Sequence, residues 1–262
     1  MTDAAPGPYG YDIVISETNE QLDDAFGHFL RDWQDGMPVT EVVERDDGLI
    51  LPEHGGVRYF APLRRWPAHE RDAIALCRGR VLDIGCGSGR VALHVQEHGH
   101  EVIAIDSSPL AIDVARERGV SDARVVRLSA VGPCLGQFGT FLFFGNGFGL
   151  LEGGRRAEEG LRRLSAIADP GARILAGSRD VTRTNDPIDL AYQAKNRARQ
   201  RLPGHLRVRI RYRHYATPWF EHLMASRDDM AAIASTAGWR LADVIGDGDD
   251  YVGVLERSSG VT

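Results

Sequence analysis

The sequence predicts an α/β protein with a doubly wound, mostly parallel seven-stranded sheet and an antiparallel C-terminal hairpin. Short apolar runs alternate with helical segments along residues 79–180, which is typical of parallel strands joined by crossover helices. Three glycines at every second position between residues 85 and 89 follow the first apolar run. The last two apolar runs, 239–244 and 251–256, are separated only by a Gly/Asp turn.

Composition places the chain among ordinary globular proteins. It has 262 residues, of which 43% are hydrophobic and 26% charged, with a net charge of −6. That charge argues against binding to a nucleic-acid backbone, and no apolar run is long enough to span a membrane. An odd number of cysteines without metal-ligand spacing predicts a reduced protein without a metal. We therefore expect a cytoplasmic location.

The N-terminal region divides into a disordered tail, residues 1–10, and a lobe, residues 11–78. Thr18 and Gln21 predict the capping box of a helix with an apolar face of Leu22, Phe26, Phe29, Leu30 and Trp33. A turn at Asp47-Gly48 predicts a strand on either side, and residues 67–77 predict a second helix.

The core comprises residues 79–180 and 226–257. Ser108 followed by Pro109 predicts one helix start, and Ser226 with Asp229 predicts another. The remaining elements are strands over 80–85, 101–106, 124–128, 140–145 and 172–178, and helices over 89–98 and 155–168, the latter stopped by Pro170-Gly171.

Residues 181–225 interrupt this alternation and form an insert. A helix over 186–201 is followed by strands over 207–215 and 219–225 around Thr217-Pro218. We expect the insert and the N-terminal lobe to form a roof over a substrate. The apolar face of its hairpin could equally form a homodimer contact.

The sequence Val-Leu-Asp-Ile-Gly-Cys-Gly-Ser-Gly-Arg at residues 81–90 decides the ligand class. A dinucleotide fingerprint would place its third glycine at Arg90. The observed spacing, with Asp106 ending the next strand, resembles motif I of the class I S-adenosylmethionine-dependent methyltransferases, the Rossmann-like methyltransferase superfamily. The resemblance covers residues 78–180 and 226–257 and implies S-adenosylmethionine as the cofactor.

The resemblance also implies the cofactor-binding residues. Asp83 is expected to order the glycine turn or reach the cofactor ammonium group, and Asp106 to accept hydrogen bonds from both ribose hydroxyls. Ser129 or the Ala130 backbone N–H is expected to read adenine. The full predicted set is Asp83, Gly85, Cys86, Gly87, Gly89, Asp106, Ser107, Ser129, Ala130, Asn146, Tyr59 and Arg64.

Catalytic and acceptor-binding residues are harder to read, because methyl transfer from a sulfonium depends mainly on positioning. Asn146 ends the fourth strand, where it either contacts cofactor or acceptor or caps its loop. His222 is our choice of general base among His54, His69, His214 and His222. Acceptor contacts are predicted for Trp219, Tyr59 and Trp66.

Four arginines at positions 207, 209, 211 and 213 alternate with apolar or aromatic residues and histidine, so they share one face of a strand. This face is either paired with carboxylates or solvated, or it binds an anionic acceptor.

We therefore predict methyl transfer to oxygen or nitrogen of a small molecule, in bacterial biosynthesis. The Asn/Asp-Pro-Pro-Tyr signature of many nucleic-acid and protein amide methyltransferases is absent. Methylation of a protein or RNA residue remains an alternative, as does a non-catalytic cofactor-binding module.

Overall fold

The computed structural model describes residues 21–53 and 55–257. The predicted tail, the predicted helix start at Thr18 and the candidate base His54 lie outside these residues. The strands are β1 Gln21–Leu22, β2 Val42–Arg45, β3 Ile50–Pro52, β4 Val81–Ile84, β5 Val102–Asp106, β6 Ala123–Val125, β7 Phe138–Phe143, β8 Ala168–Arg179, β9 His205–Tyr212, β10 Tyr215–Ala216, β11 Phe220–Leu223, β12 Trp239–Ile245 and β13 Asp250–Arg257.

Eight α-helices occur in the described chain: α1 Ala25–Gln34, α2 Val57–Phe60, α3 Ala68–Ile74, α4 Arg90–Glu97, α5 Pro109–Glu117, α6 Gly154–Ser165, α7 Pro187–Ala198 and α8 Arg227–Thr236. Short 3-10 turns cover Leu63–Arg65, Leu128–Ala130, Pro133–Leu135, Gly147–Leu151 and Val181–Arg183. Within the described residues, no helix combines the length and apolar character needed to cross a membrane.

The larger sheet has seven strands in the order β12-β13-β8-β7-β4-β5-β6. Strands β4 to β8 pair in parallel, whereas β13 pairs antiparallel with both β8 and β12. The predicted fold class is confirmed, including the antiparallel hairpin at the C-terminal edge.

Two hydrophobic clusters cover the two faces of this sheet. Phe141 and Phe143 of β7 belong to one cluster, and Leu142 and Phe144 belong to the other. Because side chains of a strand alternate between faces, a strand buried on both faces needs an unbroken apolar run. This is why the central strands stand out so clearly in the sequence.

The second sheet joins two distant parts of the chain. Its order is β1-β10-β9-β2-β3, with β11 pairing to β9, so the N-terminal strands and the strands of the 181–225 insert share one ladder. Strand β9 lies at its centre, antiparallel to β2. We call this unit the small sheet.

Two local predictions were wrong. The first helix begins at Ala25, because Asp24 caps it by accepting the Gly27 N–H at 2.9 Å, and residues 21–22 form a strand. Strand β8 begins at Ala168 rather than 172 and contains the Pro170-Gly171 pair. This pair fits into the strand because the β7–β8 register shifts at this point.

The predicted helix starts at Ser108 and Ser226 are confirmed. The Ser108 hydroxyl accepts the Ala111 N–H at 2.9 Å, with Pro109 at the first helical position. Ser226 and Asp229 form a reciprocal capping box.

Candidate cofactor and acceptor site

The glycine turn between β4 and α4 depends on backbone conformations that side chains disfavour. Gly85, Gly87 and Gly89 have φ angles of 71°, 52° and 77°. A Cβ on Gly85 would lie 2.5 Å from Leu150, and one on Gly89 would lie 2.6 Å from Val120. Gly87 has room, with its nearest neighbour, the Phe26 ring, at 3.7 Å. The outer two glycines therefore permit packing, while Gly87 leaves open backbone for a ligand.

Cys86 is buried at the centre of this turn. The backbone N–H groups of Gly85 and Cys86 both donate to the carbonyl of Ile105, at 2.8 and 3.0 Å. The turn is thereby fixed to β5, the strand that ends in Asp106.

Asp106 organises the site through both carboxyl oxygens. Oδ2 accepts the Gly87 N–H and Oδ1 accepts the Ser108 N–H, each at 2.9 Å. Burial raises the pKa of this carboxyl group, and these two hydrogen bonds oppose the shift. Each oxygen can accept a further hydrogen bond, which suits a ribose diol, and the ribose contact of Asp106 stays a prediction.

Asp83 is 2% exposed, and its Oδ2 atom accepts no hydrogen bond from the described residues. Burial raises its pKa to about 7, while the nearby Arg90 guanidinium opposes the shift. An orphaned carboxylate oxygen beside the turn fits a cofactor ammonium group, which would supply the missing donor. The role of Asp83 stays a prediction.

The sequence analysis missed Glu70, a buried carboxylate on α3. It pairs with Arg90 at 2.8 Å and accepts the Gly145 N–H at 3.0 Å. Glu70 thus connects the glycine turn to the loop after β7. Its position on a short amphipathic helix carries no sequence signal for this role.

Asn146 follows β7 with a φ angle of 62°, a left-handed conformation that is uncommon for residues other than glycine. Its side chain makes no capping hydrogen bond. Next to it, a Cβ on Gly145 would meet nothing within 4 Å. The loop-capping alternative therefore lacks support, and the amide is available to a ligand.

The predicted adenine contacts are two serine side chains and the backbone N–H of Ala130. Ser107 and Ser129 are exposed, with Ser129 in the 3-10 turn after β6. The Ala130 N–H donates to the Arg127 carbonyl at 2.8 Å within that turn. Because this donor is already used within the turn, Ser129 is the better placed of the two alternatives, and the adenine contact stays a prediction.

Helix α2 carries Tyr59 to the glycine turn. The Ser88 hydroxyl donates to the Tyr59 carbonyl, and Arg118 donates to the Ser88 carbonyl at 2.6 Å. The Tyr59 ring lies edge-on to Phe26, with centroids 5.2 Å apart. Arg64 is exposed in the following 3-10 turn, and its predicted contact with the cofactor carboxylate stays a prediction.

Two predicted acceptor contacts, Trp66 and Trp219, have protein neighbours in the structure. Trp66 is 2% exposed, donates its indole N–H to the Ala61 carbonyl and packs edge-on to Phe144, so it belongs to the core and its predicted acceptor contact lacks support. Trp219 is half-buried beneath the Arg209 guanidinium, 4.8 Å from the ring centroid, and its acceptor contact stays a prediction.

His222 lies at the loop after β7. A Cβ on Gly149 would be 2.3 Å from its ring, so the imidazole packs directly on the backbone that follows Asn146. Burial lowers the pKa of His222 to about 4. The imidazole is therefore neutral across the physiological pH range. Its titration should not change the methyl-transfer rate near pH 6.5.

The other candidate histidines lie apart from this loop. His69 lies on α3 beside Gly246, where a Cβ would be 3.1 Å away. His214 is exposed, with its ring 4.0 Å from Tyr215.

Gly149→Ala should displace the His222 ring and leave the cofactor turn unchanged. Because the new methyl group occupies the place of the imidazole, the ring moves towards water and its pKa rises towards the ordinary histidine range. An NMR pH titration of His222 Cε1 measures this shift. Gly248→Ala is the control, because its Cβ meets nothing within 4 Å. A His222 pKa that remains near 4 in Gly149→Ala would contradict this packing.

Three of the four arginines on this face are paired with carboxylates. Arg209 and Arg211 contact the Glu44 carboxylate at 2.8 and 3.2 Å, and Arg213 contacts Asp32 at 3.0 Å. These contacts favour the ion-pair alternative over an anion-binding face.

Comparisons with known proteins agree with this geometry. Residues 81–139 match the model of a methyltransferase domain. A methyltransferase from Bacteroides fragilis, solved with S-adenosyl-L-homocysteine, superposes with a TM-score of 0.77 at 27% identity, covering 93% of this chain and 100% of that chain. The CcbJ methyltransferase from Streptomyces caelestis gives a TM-score of 0.55 at 16% identity, covering 77% and 98% of the two chains.

Matches to characterised sequences are shorter. The chain is 40% identical over 63 residues to magnesium-protoporphyrin O-methyltransferase of Rhodobacter capsulatus, which is 22% of this chain and 28% of that protein. It is 32% identical over 97 residues to a ubiquinone biosynthesis O-methyltransferase of Alkalilimnicola ehrlichii, covering 30% and 38%. These alignments span about a third of each relative. Residues 81–139 thus form a methyltransferase domain, and the chain shares the fold of an S-adenosylmethionine-dependent methyltransferase, whose cofactor is S-adenosylmethionine.

Proposed function

We propose that this protein transfers the methyl group of S-adenosylmethionine to an oxygen or nitrogen atom of a small molecule. The observation that supports this proposal most directly is the position of the Asp106 carboxylate. It accepts hydrogen bonds from the Gly87 turn and from the start of α5, and each oxygen can still accept another from a ribose diol. Relatives that match this chain over part of their length are named as O-methyltransferases. A biosynthetic role is part of the proposal.

When bound, the cofactor supplies an activated methyl group on a sulfonium, which an in-line nucleophile can take. The protein must hold the nucleophile on that line and exclude water. We assign positioning to Asn146, whose amide is uncommitted, and to His222, which packs on the same loop. Neutral His222 can exchange a hydrogen bond with a polar group of the acceptor and so help to orient it.

The small sheet and α1–α2 are proposed as the roof of the acceptor pocket. Residues 11–78 and 181–225 therefore contribute to acceptor binding, while 79–180 and 226–257 form the cofactor-binding core. The sequence-based expectations of a cytoplasmic location, of no nucleic-acid partner and of a homodimer contact on the insert hairpin are retained as proposals.

The function is tested by binding and turnover. Calorimetry should detect S-adenosylhomocysteine binding and no NAD binding, because the turn spacing does not provide a dinucleotide site. The tritiated methyl group of S-adenosylmethionine should appear in one of a panel of small phenols and amines. Micromolar NAD binding without S-adenosylhomocysteine binding would overturn the proposal. Label transfer only to protein or RNA extracts would favour a macromolecular acceptor, and binding without any turnover would favour a sensor.

A further inference from the structure

Glu41 is a buried carboxylate with no evident structural role. It directly precedes β2 and is 1% exposed, and neither side-chain oxygen accepts a hydrogen bond from the described residues. Only its backbone carbonyl is used, by Thr40 and by the Glu53 N–H at 3.1 Å. An unpaired buried carboxylate destabilises a fold, so its presence points to a partner outside the described residues.

The nearest side chain links Glu41 to the glycine turn. The Tyr59 hydroxyl is close enough to lower the pKa of Glu41 without completing a hydrogen bond of normal geometry. The Tyr59 ring packs on Phe26, which is the ring nearest to Gly87. The Tyr59–Phe26 pair therefore connects Glu41 to the open part of the turn.

The same segment reaches the far end of the site. Arg58 and Glu53 lie 4.0 Å apart and act electrostatically on Asp250 and Arg179, an ion pair at the carboxyl end of β8. The chain around α2 therefore extends from the end of β4 to the end of β8. Strand β7 lies between them in the sheet, and Asn146 follows it.

The charges around Glu41 suit proton transfer at neutral pH. Its pKa is raised to about 7, mainly by burial and to a smaller extent by Glu53, while Tyr59 and Arg58 oppose the shift. The pKa of Tyr59 is itself raised well above its ordinary value by burial, so Tyr59 remains a neutral donor. A carboxyl group in this range can exchange protons efficiently near pH 7.

We propose that Glu41 is the proton acceptor for the methyl acceptor, which is a neutral phenol or alcohol, or an amine. The carboxylate accepts a hydrogen bond from the nucleophilic O–H or N–H. As the new bond to the methyl carbon forms, the carbon–sulfur bond breaks, its electron pair stays on sulfur, and the proton moves to Glu41. An anionic group beside the reacting atom is disfavoured by Glu41 and Glu53. This inference rests on the proposed function.

A crystal structure with S-adenosylhomocysteine tests the placement without a known acceptor. We expect a carboxyl oxygen of Glu41 to line the same cavity as the sulfur atom. A cavity closed off from Glu41 by Tyr59 or Phe26 would overturn the inference. This result is decisive even when no probe is methylated.

Kinetics test the chemistry with phenol, catechol, tyramine and benzylamine as probes. With the probe that is methylated fastest, Glu41→Gln should lower kcat by about 10²–10⁴-fold. The rise of kcat with pH near pH 7, the pH limb, should disappear, and the affinity for S-adenosylhomocysteine should stay unchanged. Tyr59→Phe should move that limb to higher pH, because it removes a group that lowers the pKa of Glu41.

Glu44→Gln is the matched control, since Glu44 lies three residues along the same segment but pairs with Arg209 and Arg211. It should keep both the rate and the pH limb. A wild-type rate and limb in Glu41→Gln would overturn the inference while leaving the proposed function intact. Failure of the parent protein to bind S-adenosylhomocysteine would instead refute the function itself.

Discussion

Asp106→Ala is expected to weaken S-adenosylhomocysteine binding by about 10²–10⁴-fold. In the proposed site the change removes the acceptor of two ribose hydroxyl groups, and hydrogen bonds to a charged group contribute about 1.5–3 kcal/mol each. It also releases the N–H groups of Gly87 and Ser108, which the carboxylate holds at 2.9 Å. The turn therefore loses both its ligand contact and its fixed shape. Calorimetry gives the affinity, and circular dichroism shows whether the fold is kept.

Asp113→Ala provides a control on the neighbouring helix α5. Asp113 is exposed and pairs only with Arg116, at 3.4 Å, among the described residues. Its loss should leave the affinity unchanged, since exposed ion pairs contribute little. Equal affinities for the parent and a folded Asp106→Ala variant would place the cofactor elsewhere.

Glu41→Gln is expected to stabilise the protein increasingly as pH rises. The raised pKa of Glu41, about 7 against an ordinary 4.5, means that the folded state binds the proton more tightly than the unfolded chain. The parent is therefore favoured below pH 4.5 and loses stability as pH rises through 7. At pH 8 this loss is about 3 kcal/mol, which the amide avoids.

Urea unfolding of both proteins at pH 4.5 and pH 8 measures this effect. A buried amide without partners has its own cost, but that cost does not change with pH. Asp83, whose pKa is also raised to about 7, titrates in both proteins and cancels in the difference. A stability difference between the two proteins that is the same at both pH values would show that folding does not raise the pKa of Glu41.

The sheet and the glycine turn were predictable because only a few kinds of sequence satisfy their physical requirements. Strands buried on both faces must be apolar throughout, and positive φ angles at residues 85, 87 and 89 favour glycine. The helix start at Ser108 also follows from local chemistry, since its hydroxyl bonds a backbone group three residues away.

The roof was less predictable because its contacts are not local. Glu41 and Glu70 look like ordinary acidic residues in the sequence, and only folding reveals that both are buried. Trp66 and Trp219 appeared equally suited to binding, yet one packs in the core and the other beneath Arg209. Which aromatic side chain faces a ligand depends on strand register and helix rotation, which composition does not determine.

The small sheet has a consequence for the order of folding. Strand β2 pairs with β9, and the ion pair between Glu44 and Arg209 spans 165 residues. Closing so long a loop costs entropy that is recovered more easily once the intervening core has brought the ends together. During synthesis, β2 can pair with β9 only after most of the chain has been made. Native-state hydrogen exchange should therefore report the small sheet as a cooperative unit that opens before the core and closes after it.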